Sequence, residues 1–215
     1  MQRTTRHIIL FLVTATTGAV FYLGLGPGGL VYTVSMASAY GSLVLLAISL
    51  MIGPWNKLRG RPNPISGYLR RDIGIWAGVL GIVHVVAGLQ VHMGGKFWLY
   101  FLPPGLATFP FPVRFGQWMP FGSSNYAGLG AMLILLLLLF LSNDASLRSF
   151  GARRWKSLQR WNYACALLVV GHGAVYQIIE KRDAGFVVVC LSIVLLALAM
   201  QIKGFLMAKE HKRRP

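Results

Sequence analysis

The stretch NYAGLGAMLILLLLLFLS, residues 125–142, contains no charged side chain. It is long enough to cross the hydrocarbon core of a bilayer as one helix, which takes about 20 apolar residues. Five other stretches are similarly apolar: residues 7–26, 31–52, 73–93, 162–180 and 185–203. The sequence therefore predicts an all-α integral membrane protein, in which six transmembrane helices form a single domain over residues 1–215.

The composition of the chain agrees with this prediction. Of the 215 residues, 55% are hydrophobic and 12% are charged. A soluble domain of this size would have to expose large apolar patches to hold so many hydrophobic side chains. Soluble, disordered, collagen-like and disulfide-stabilised classes are therefore excluded. The two cysteines, Cys165 and Cys190, are expected to be packing residues inside helices.

Positive charges lie between the apolar stretches and mostly on one side of the membrane. The chain has 21 lysines and arginines against five acidic residues. Most of these lysines and arginines lie near the N-terminus, in the segment 53–72, in the segment 143–160, which is expected to be a loop, and in the tail from residue 203. By the positive-inside rule both termini are cytoplasmic, in the inner or plasma membrane, which requires an even number of spans. On the other side of the membrane, the predicted basic residues are only Lys96, Arg114, Lys181 and Arg182.

Two of the five histidines lie inside predicted helices at matching depth. His84 and His172 follow the basic residues Arg71 and Arg160 by about 13 and 12 residues, roughly 20 and 18 Å along a helix. An ionisable residue inside a membrane is costly and indicates a function by default. Two at the same depth predict a shared ligand, whereas a packed, hydrogen-bonded histidine is the alternative at each position.

The natural shared ligand is a haem, because two neutral imidazoles can occupy both axial positions of its iron. Gly81 and Gly88 lie about one turn before and after His84 on the same face, which would leave space for a flat ring; close helix packing is the alternative. Zinc is a weaker alternative because cysteine or carboxylate partners are not expected at that depth. A haem ligated on both sides is expected to carry single electrons.

Two longer stretches resemble the ferric reductase-like transmembrane superfamily. They are YLRRDIGIWAGVLGIVH, residues 68–84, and LSNDASLRSFGARRWKSLQRWNYACALLVVGH, residues 141–172. This superfamily includes the haem-binding membrane subunit of periplasmic methionine sulfoxide reductase systems and the membrane cores of ferric reductases and NADPH oxidases. The resemblance implies a six-helix bundle that binds haem b and moves electrons across the membrane, with His84 and His172 matching the outer haem ligands.

The sequence departs from the two-haem members of this superfamily, which carry a further histidine on each of these helices. Arg70 and Gln159 occupy those positions here. Neither is a normal haem ligand, so one haem is predicted. Arg70, Arg71 and Arg160 could attract a flavin phosphate or an anionic partner, with positive-inside anchoring as the alternative. Because only about a dozen residues follow the last span, we expect a separate electron donor, such as FMN, a quinol or a reduced protein.

Residues 94–124 form a long extracytoplasmic connection that is rich in aromatic residues and prolines. The prolines argue against another span, so we expect a short interfacial helix or a cap over the haem edge. The aromatic surface is expected to dock an extracytoplasmic redox protein. His92, just before this segment, could hydrogen-bond a haem propionate or ligate a separate group; a simple interfacial histidine is the alternative.

The leading hypothesis is therefore an electron-transfer subunit of an oxidoreductase rather than a self-contained enzyme. It would bind haem b and relay single electrons between a cytoplasmic or membrane donor and an extracytoplasmic acceptor or larger membrane complex. The alternative is a non-redox subunit that organises such a complex. A transporter is less favoured because no acidic residue lies deep in a predicted span. No nucleic-acid partner is expected, and membrane lipid surrounds the bundle.

Overall fold

The computed structural model describes residues 2–24, 29–61, 68–106, 108 and 115–213. Six of its helical segments are long and apolar enough to cross a membrane. The predicted all-α, six-span fold of a multi-pass inner or plasma membrane protein is confirmed, whereas the side that each terminus faces stays a prediction. The helices are α1 (Arg3–Gly24), α2 (Leu30–Leu58), α3 (Tyr68–Val91), α4 (Phe115–Leu141), α5 (Asp144–Gln159), α6 (Trp161–Ile179) and α7 (Ala184–Arg213).

Two helices extend well beyond the apolar stretches that predict them. α2 continues through Pro54. α4 begins at Phe115, earlier than the expected start at residue 125, and includes Pro120. A proline removes only one backbone hydrogen bond from a helix, and near a helix end the remaining bonds outweigh that loss. The span predicted from apolar residues is therefore only part of a longer helix, the first part in α2 and the last part in α4.

α5 occupies the segment that was expected to be a loop between α4 and α6. The Asn143 side chain caps it by accepting a hydrogen bond from the backbone N–H of Ser146 at 2.7 Å. Gly151 interrupts it with a φ of 71°, a conformation that favours glycine. The indole of Trp155 is buried and donates to the carbonyl of Leu141 at 2.8 Å. α5 is thus fastened to the end of α4.

α2 is the central helix of the bundle. It packs against α1, α3 and α7 and is the most buried of the six spans. Small residues allow α2 and α3 to approach closely: a Cβ at Gly41 would lie 2.8 Å from Leu80, and the Ser42 hydroxyl donates to the Ala77 carbonyl at 2.8 Å. α4 packs mainly against α6 and also contacts α3. The pairs α2/α3 and α4/α6 are therefore the two halves that could share a ligand.

The outward surface of the bundle is apolar, as a lipid environment requires. On α7, for example, Leu191, Leu195 and Leu198 are 54%, 60% and 53% exposed. In water such a surface would mark an interface, but on a membrane-spanning helix it contacts lipid tails.

A charged cluster fastens α1 to α3. Asp72 is fully buried and accepts hydrogen bonds from Nε of Arg3 at 3.1 Å and Nε of Arg6 at 3.0 Å. Nε2 of His7 lies 3.5 Å from the same carboxylate, and Trp76 donates to Nδ1 of His7 at 3.0 Å. Because a buried carboxylate is tolerated only with such partners, the cluster holds the start of α1 against α3, while α1 also packs against α2.

Candidate cofactor site

A cavity of about 460 Å³ lies between α2, α3, α4 and α6. This volume falls in the range of small-molecule and cofactor pockets, roughly 300–1,000 Å³. Most of its lining is apolar. Five of the predicted site residues line it: Gly81, His84, Gly88, His92 and His172.

The imidazole rings of His84 and His172 meet in this cavity. Their ring centres are 6.3 Å apart and their planes make an angle of 69°. Two imidazoles that each bond one metal at about 2 Å have ring centres about 6 Å apart. An edge-to-face aromatic pair falls in the same range of distances, so the state of the ring nitrogens decides between the two interpretations.

Each imidazole has its Nδ1 fixed by the backbone of a neighbouring helix. Nδ1 of His84 lies 3.0 Å from the carbonyl oxygen of Ser35 on α2, and Nδ1 of His172 lies 2.9 Å from that of Ser124 on α4. A carbonyl only accepts, so both Nδ1 atoms donate and both Nε2 atoms keep a lone pair. Metal-ligating histidines are held in this way, and the arrangement favours axial ligation over simple ring packing.

The side chains around the histidine pair favour a metal ion whose other ligands come from a cofactor rather than from the protein. In the part of the chain that the structure describes, no group of three or more His, Cys, Asp or Glu side chains could hold a metal ion. A zinc ion takes three or four protein ligands. A haem iron is bound in the plane by the porphyrin and needs only axial ligands from the protein. The residues present therefore fit a haem and do not fit zinc.

The two predicted glycines of α3 differ in the space around them: a Cβ would make ordinary contacts at Gly88 and a tight contact at Gly81. A Cβ at Gly88 would lie 3.4 Å from Oγ of Ser35 and 3.7 Å from Cε1 of His84. A Cβ at Gly81 would lie 3.1 Å from Leu135 on α4. Gly81 thus serves close helix packing as well as the cavity lining.

Sequence reasoning missed the residues that orient the two rings. Ser35 and Ser124 supply the carbonyls, and Gly128 makes room for His172, because a Cβ there would lie 2.9 Å from its Nδ1. The available signal was weak: Ser124 and Gly128 are small residues four apart, and so share one face of α4. Such spacing is also common in ordinary helix packing.

Comparison with known proteins gives two relatives that bear on this site. The chain is similar to the haem-binding subunit MsrQ. The protein-methionine-sulfoxide reductase haem-binding subunit MsrQ of Azospira oryzae is 28% identical over 180 residues, which are 81% of this chain and 68% of that protein. The MsrQ of Ralstonia nicotianae is 27% identical over 165 residues, 77% of this chain and 67% of that protein. The resemblance predicted from the two quoted stretches is confirmed by these relatives.

A third relative is of another kind. The gamma-aminobutyric acid permease of Bacillus subtilis is 24% identical over 189 residues, which are 80% of this chain but only 34% of the permease. No protein-family model and no solved structure matches the chain significantly.

A hydrogen-bonded network closes one end of the cavity. The Tyr100 hydroxyl accepts from the backbone N–H of His92 and donates to the carbonyl of Gly88, both at 3.0 Å. Burial raises the pKa of Tyr100, so this hydroxyl stays a donor. Asn125 donates to the Tyr100 carbonyl at 2.9 Å and accepts from the Tyr176 hydroxyl at 2.7 Å. The network joins α3, α4 and α6 at this end.

A charged cluster lies at the same end. Nε2 of His92 is 3.0 Å from Oε1 of Glu180, and Nη2 of Arg182 is 3.8 Å from Oε2. Arg182 also donates to the hydroxyl of Tyr32. The hydrogen bond from His92 lowers the pKa of Glu180, against the opposing effect of burial. Both His92 and Arg182 line the cavity. The sequence analysis predicted His92 as a site residue, but it named Arg182 only as one of the basic residues on the other side of the membrane.

The aromatic segment after α3 contributes to the cavity wall. It contains two short 3₁₀ turns, Met93–Gly95 and Phe97–Tyr100, and its side chains Phe97, Tyr100 and Phe101 line the cavity. Residues 107 and 109–114 of the expected cap and docking surface lie outside the described residues.

The other four predicted site residues, Arg70, Arg71, Gln159 and Arg160, do not line the cavity. Arg71 lies near the start of α3, donates to Oδ1 of Asp144 at 2.6 Å and packs 4.9 Å from the ring of Tyr68. Its Nε and Nη2, and Nε2 of Gln159, are buried without a hydrogen-bond partner in the described structure. Arg160 is exposed. The structure therefore separates these residues from the histidine pair.

Proposed function

We propose that the chain is a haem b-binding membrane subunit that relays single electrons between a donor and an extracytoplasmic acceptor or partner protein. The pair His84 and His172 carries this proposal, because both rings line one cavity at a spacing that suits a shared iron. The names of the two MsrQ relatives record haem binding by a subunit of a methionine sulfoxide reductase and support the same assignment.

The protein's part in this chemistry is to hold and orient two neutral ligands. The Ser35 and Ser124 carbonyls keep the Nδ1 proton on each ring, so that Nε2 of His84 and of His172 would bind the iron. A haem held by His84 and His172 would supply single-electron transfer and would not itself bind a substrate. The chain would thus be the electron-transfer subunit of an oxidoreductase, and a partner would carry out the reaction on the substrate.

A single haem is proposed for each chain. The positions that would carry a second pair of ligands hold Arg70 and Gln159, which do not ligate haem iron. By the positive-inside rule, we propose that these positions lie on the cytoplasmic side and that the cavity lies in the outer half of the membrane.

FMN, a quinol or a reduced protein is the proposed donor on the cytoplasmic side. Arg71 supports this choice, because two of its guanidinium nitrogens are buried with no partner among the residues described. The exposed Arg160 adds positive charge near the start of α6. The acceptor is proposed to dock on the aromatic segment 94–124, three of whose aromatic side chains line the cavity.

Visible spectroscopy of the purified full chain tests the proposal. Reduced protein should show b-type absorption bands, with one haem per chain in a pyridine haemochrome assay. His84→Ala and His172→Ala should each abolish these bands, whereas His211→Ala, a change of the same type in the C-terminal tail, should keep them. A colourless wild-type protein that still assembles with its partner would contradict the proposal and favour the non-redox structural subunit.

A further inference from the structure

We infer that Arg182, which lies beside His92, forms a carboxylate-binding end of the cavity that holds the propionate groups of the haem. This inference rests on the proposed function, because it concerns the same cavity. Arg182 is the one arginine or lysine in the described lining, and its side chain is 12% exposed. A macrocycle that carries two carboxylates would bring them into an otherwise mostly apolar cavity, where an unpaired charge is costly. The carboxylates are therefore expected to lie at Arg182.

The positions of Arg182 and His92 support this orientation. Arg182 follows the end of α6, which carries His172, and His92 follows the end of α3, which carries His84. Both side chains contact the same carboxylate, that of Glu180, so they lie at one end of the cavity. Positive charge is favourable there because it also faces the carbonyl ends of two helices.

Arg182 keeps N–H donors for a ligand after its contacts within the protein are counted. A guanidinium has five N–H donors. The Nη2 of Arg182 is 3.8 Å from Glu180, which is an ion pair without a hydrogen bond, and one Nη1 donor goes to Tyr32. Glu180 is not among the cavity-lining residues. It therefore acts as a positioning residue that holds His92 and Arg182 at the wall, while the remaining guanidinium donors of Arg182 are available for carboxylates.

The decisive experiment compares haem with its dimethyl ester, in which both propionates are neutral. The full chain, purified from haem-deficient cells, is titrated with each compound. Wild-type protein should bind haem about ten-fold more tightly than the diester, as expected for a charge-assisted hydrogen bond. Arg182→Gln should weaken haem binding and leave diester binding nearly unchanged, so that most of the difference disappears. Arg182→Lys should recover part of it.

Lys181→Gln is the matched control, because it removes the same charge from the adjacent, exposed residue. It should keep the preference for haem over the diester. The midpoint potential gives a second readout: Arg182→Gln should lower it, since loss of a nearby cation favours the oxidised haem, and Lys181→Gln should shift it much less.

Two results would overturn the inference while the proposed function stands. One is equal binding of haem and diester by the wild-type protein, a comparison that requires no variant to fold. The other is an equal loss of affinity for both compounds in Arg182→Gln, as expected for a residue that only supports the fold. If neither compound gave a b-type spectrum that depends on His84 and His172, the proposed function would fail, and this inference with it.

Discussion

Ser124 contacts His172 through two atoms: its carbonyl oxygen lies 2.9 Å and its hydroxyl oxygen 3.2 Å from Nδ1. Ser35 contacts His84 in the same way, at 3.0 and 3.3 Å. The two histidines are therefore presented by matching helix pairs, α2 with α3 and α4 with α6. Because the accepting carbonyls belong to the backbone, helix packing sets the orientation of the rings. The consequences of altered packing at this site can be measured.

Gly128→Ala should displace the ring of His172. The added Cβ would lie 2.9 Å from Nδ1, a distance at which the ring must shift, and 3.1 Å from Cε1, which is also a tight contact. We expect a large loss of bound haem, or a spectrum that no longer shows two imidazole ligands, measured by absorption and electron paramagnetic resonance. Gly130→Ala is the control, because its Cβ would only reach ordinary contact with Leu168 at 3.4 Å. Equal haem content in both variants would contradict this role of Gly128.

Asn125→Ala should destabilise the end of the cavity that the hydrogen-bonded network closes. Asn125 is 6% exposed, and its removal leaves the Tyr176 hydroxyl and the Tyr100 carbonyl without their partner. An unsatisfied buried polar group costs about 1–3 kcal/mol, so the thermal midpoint in detergent should fall by several degrees. Tyr126→Phe is the control, because it removes a hydrogen bond of a side chain that is 52% exposed. A similar midpoint for the two variants would show that the network is not important for stability.

Asp72→Asn should weaken the attachment of α1. The buried carboxylate binds Arg3 and Arg6, whose side chains are 43% and 16% exposed. Breaking a fully buried ion pair costs about 3–5 kcal/mol, and the partial exposure of the arginines reduces the expected loss to about 1–3 kcal/mol. Thermal unfolding would reveal it as a lower midpoint, while the exposed Asp183→Asn should leave the midpoint within about 1 °C of wild type. An unchanged midpoint in Asp72→Asn would mean that α1 docks without this cluster.

The stability of the chain at acidic pH should depend on Glu180. The hydrogen bond from His92 lowers the pKa of its carboxyl in the folded protein. A carboxyl of this kind stabilises the fold above its ordinary pKa, and the contribution is lost as the pH falls through the lowered value. The thermal midpoint of the wild-type protein should therefore decrease between about pH 5 and pH 3, and that of Glu180→Gln should decrease less. Parallel curves for the two proteins would exclude Glu180 as a source of the pH dependence.

The number and approximate position of the spans could be predicted from the sequence, because the bilayer selects each segment by its own length and polarity. The ends of the helices could not be predicted from the sequence. Pro120 lies inside α4, and the segment expected to be a loop is mostly α5, because hydrogen bonding and contacts with neighbouring helices extend a helix beyond its apolar part.

His84 and His172 could be found from their depth along the chain, since depth follows from the rise of a helix and the position of the charges. Their partners could not be found in this way. Ser35, Gly128 and Arg182 reach the cavity only through the rotation of each helix about its axis and its choice of neighbours. Those properties arise from side-chain packing between segments distant in sequence, and a local pattern does not encode them.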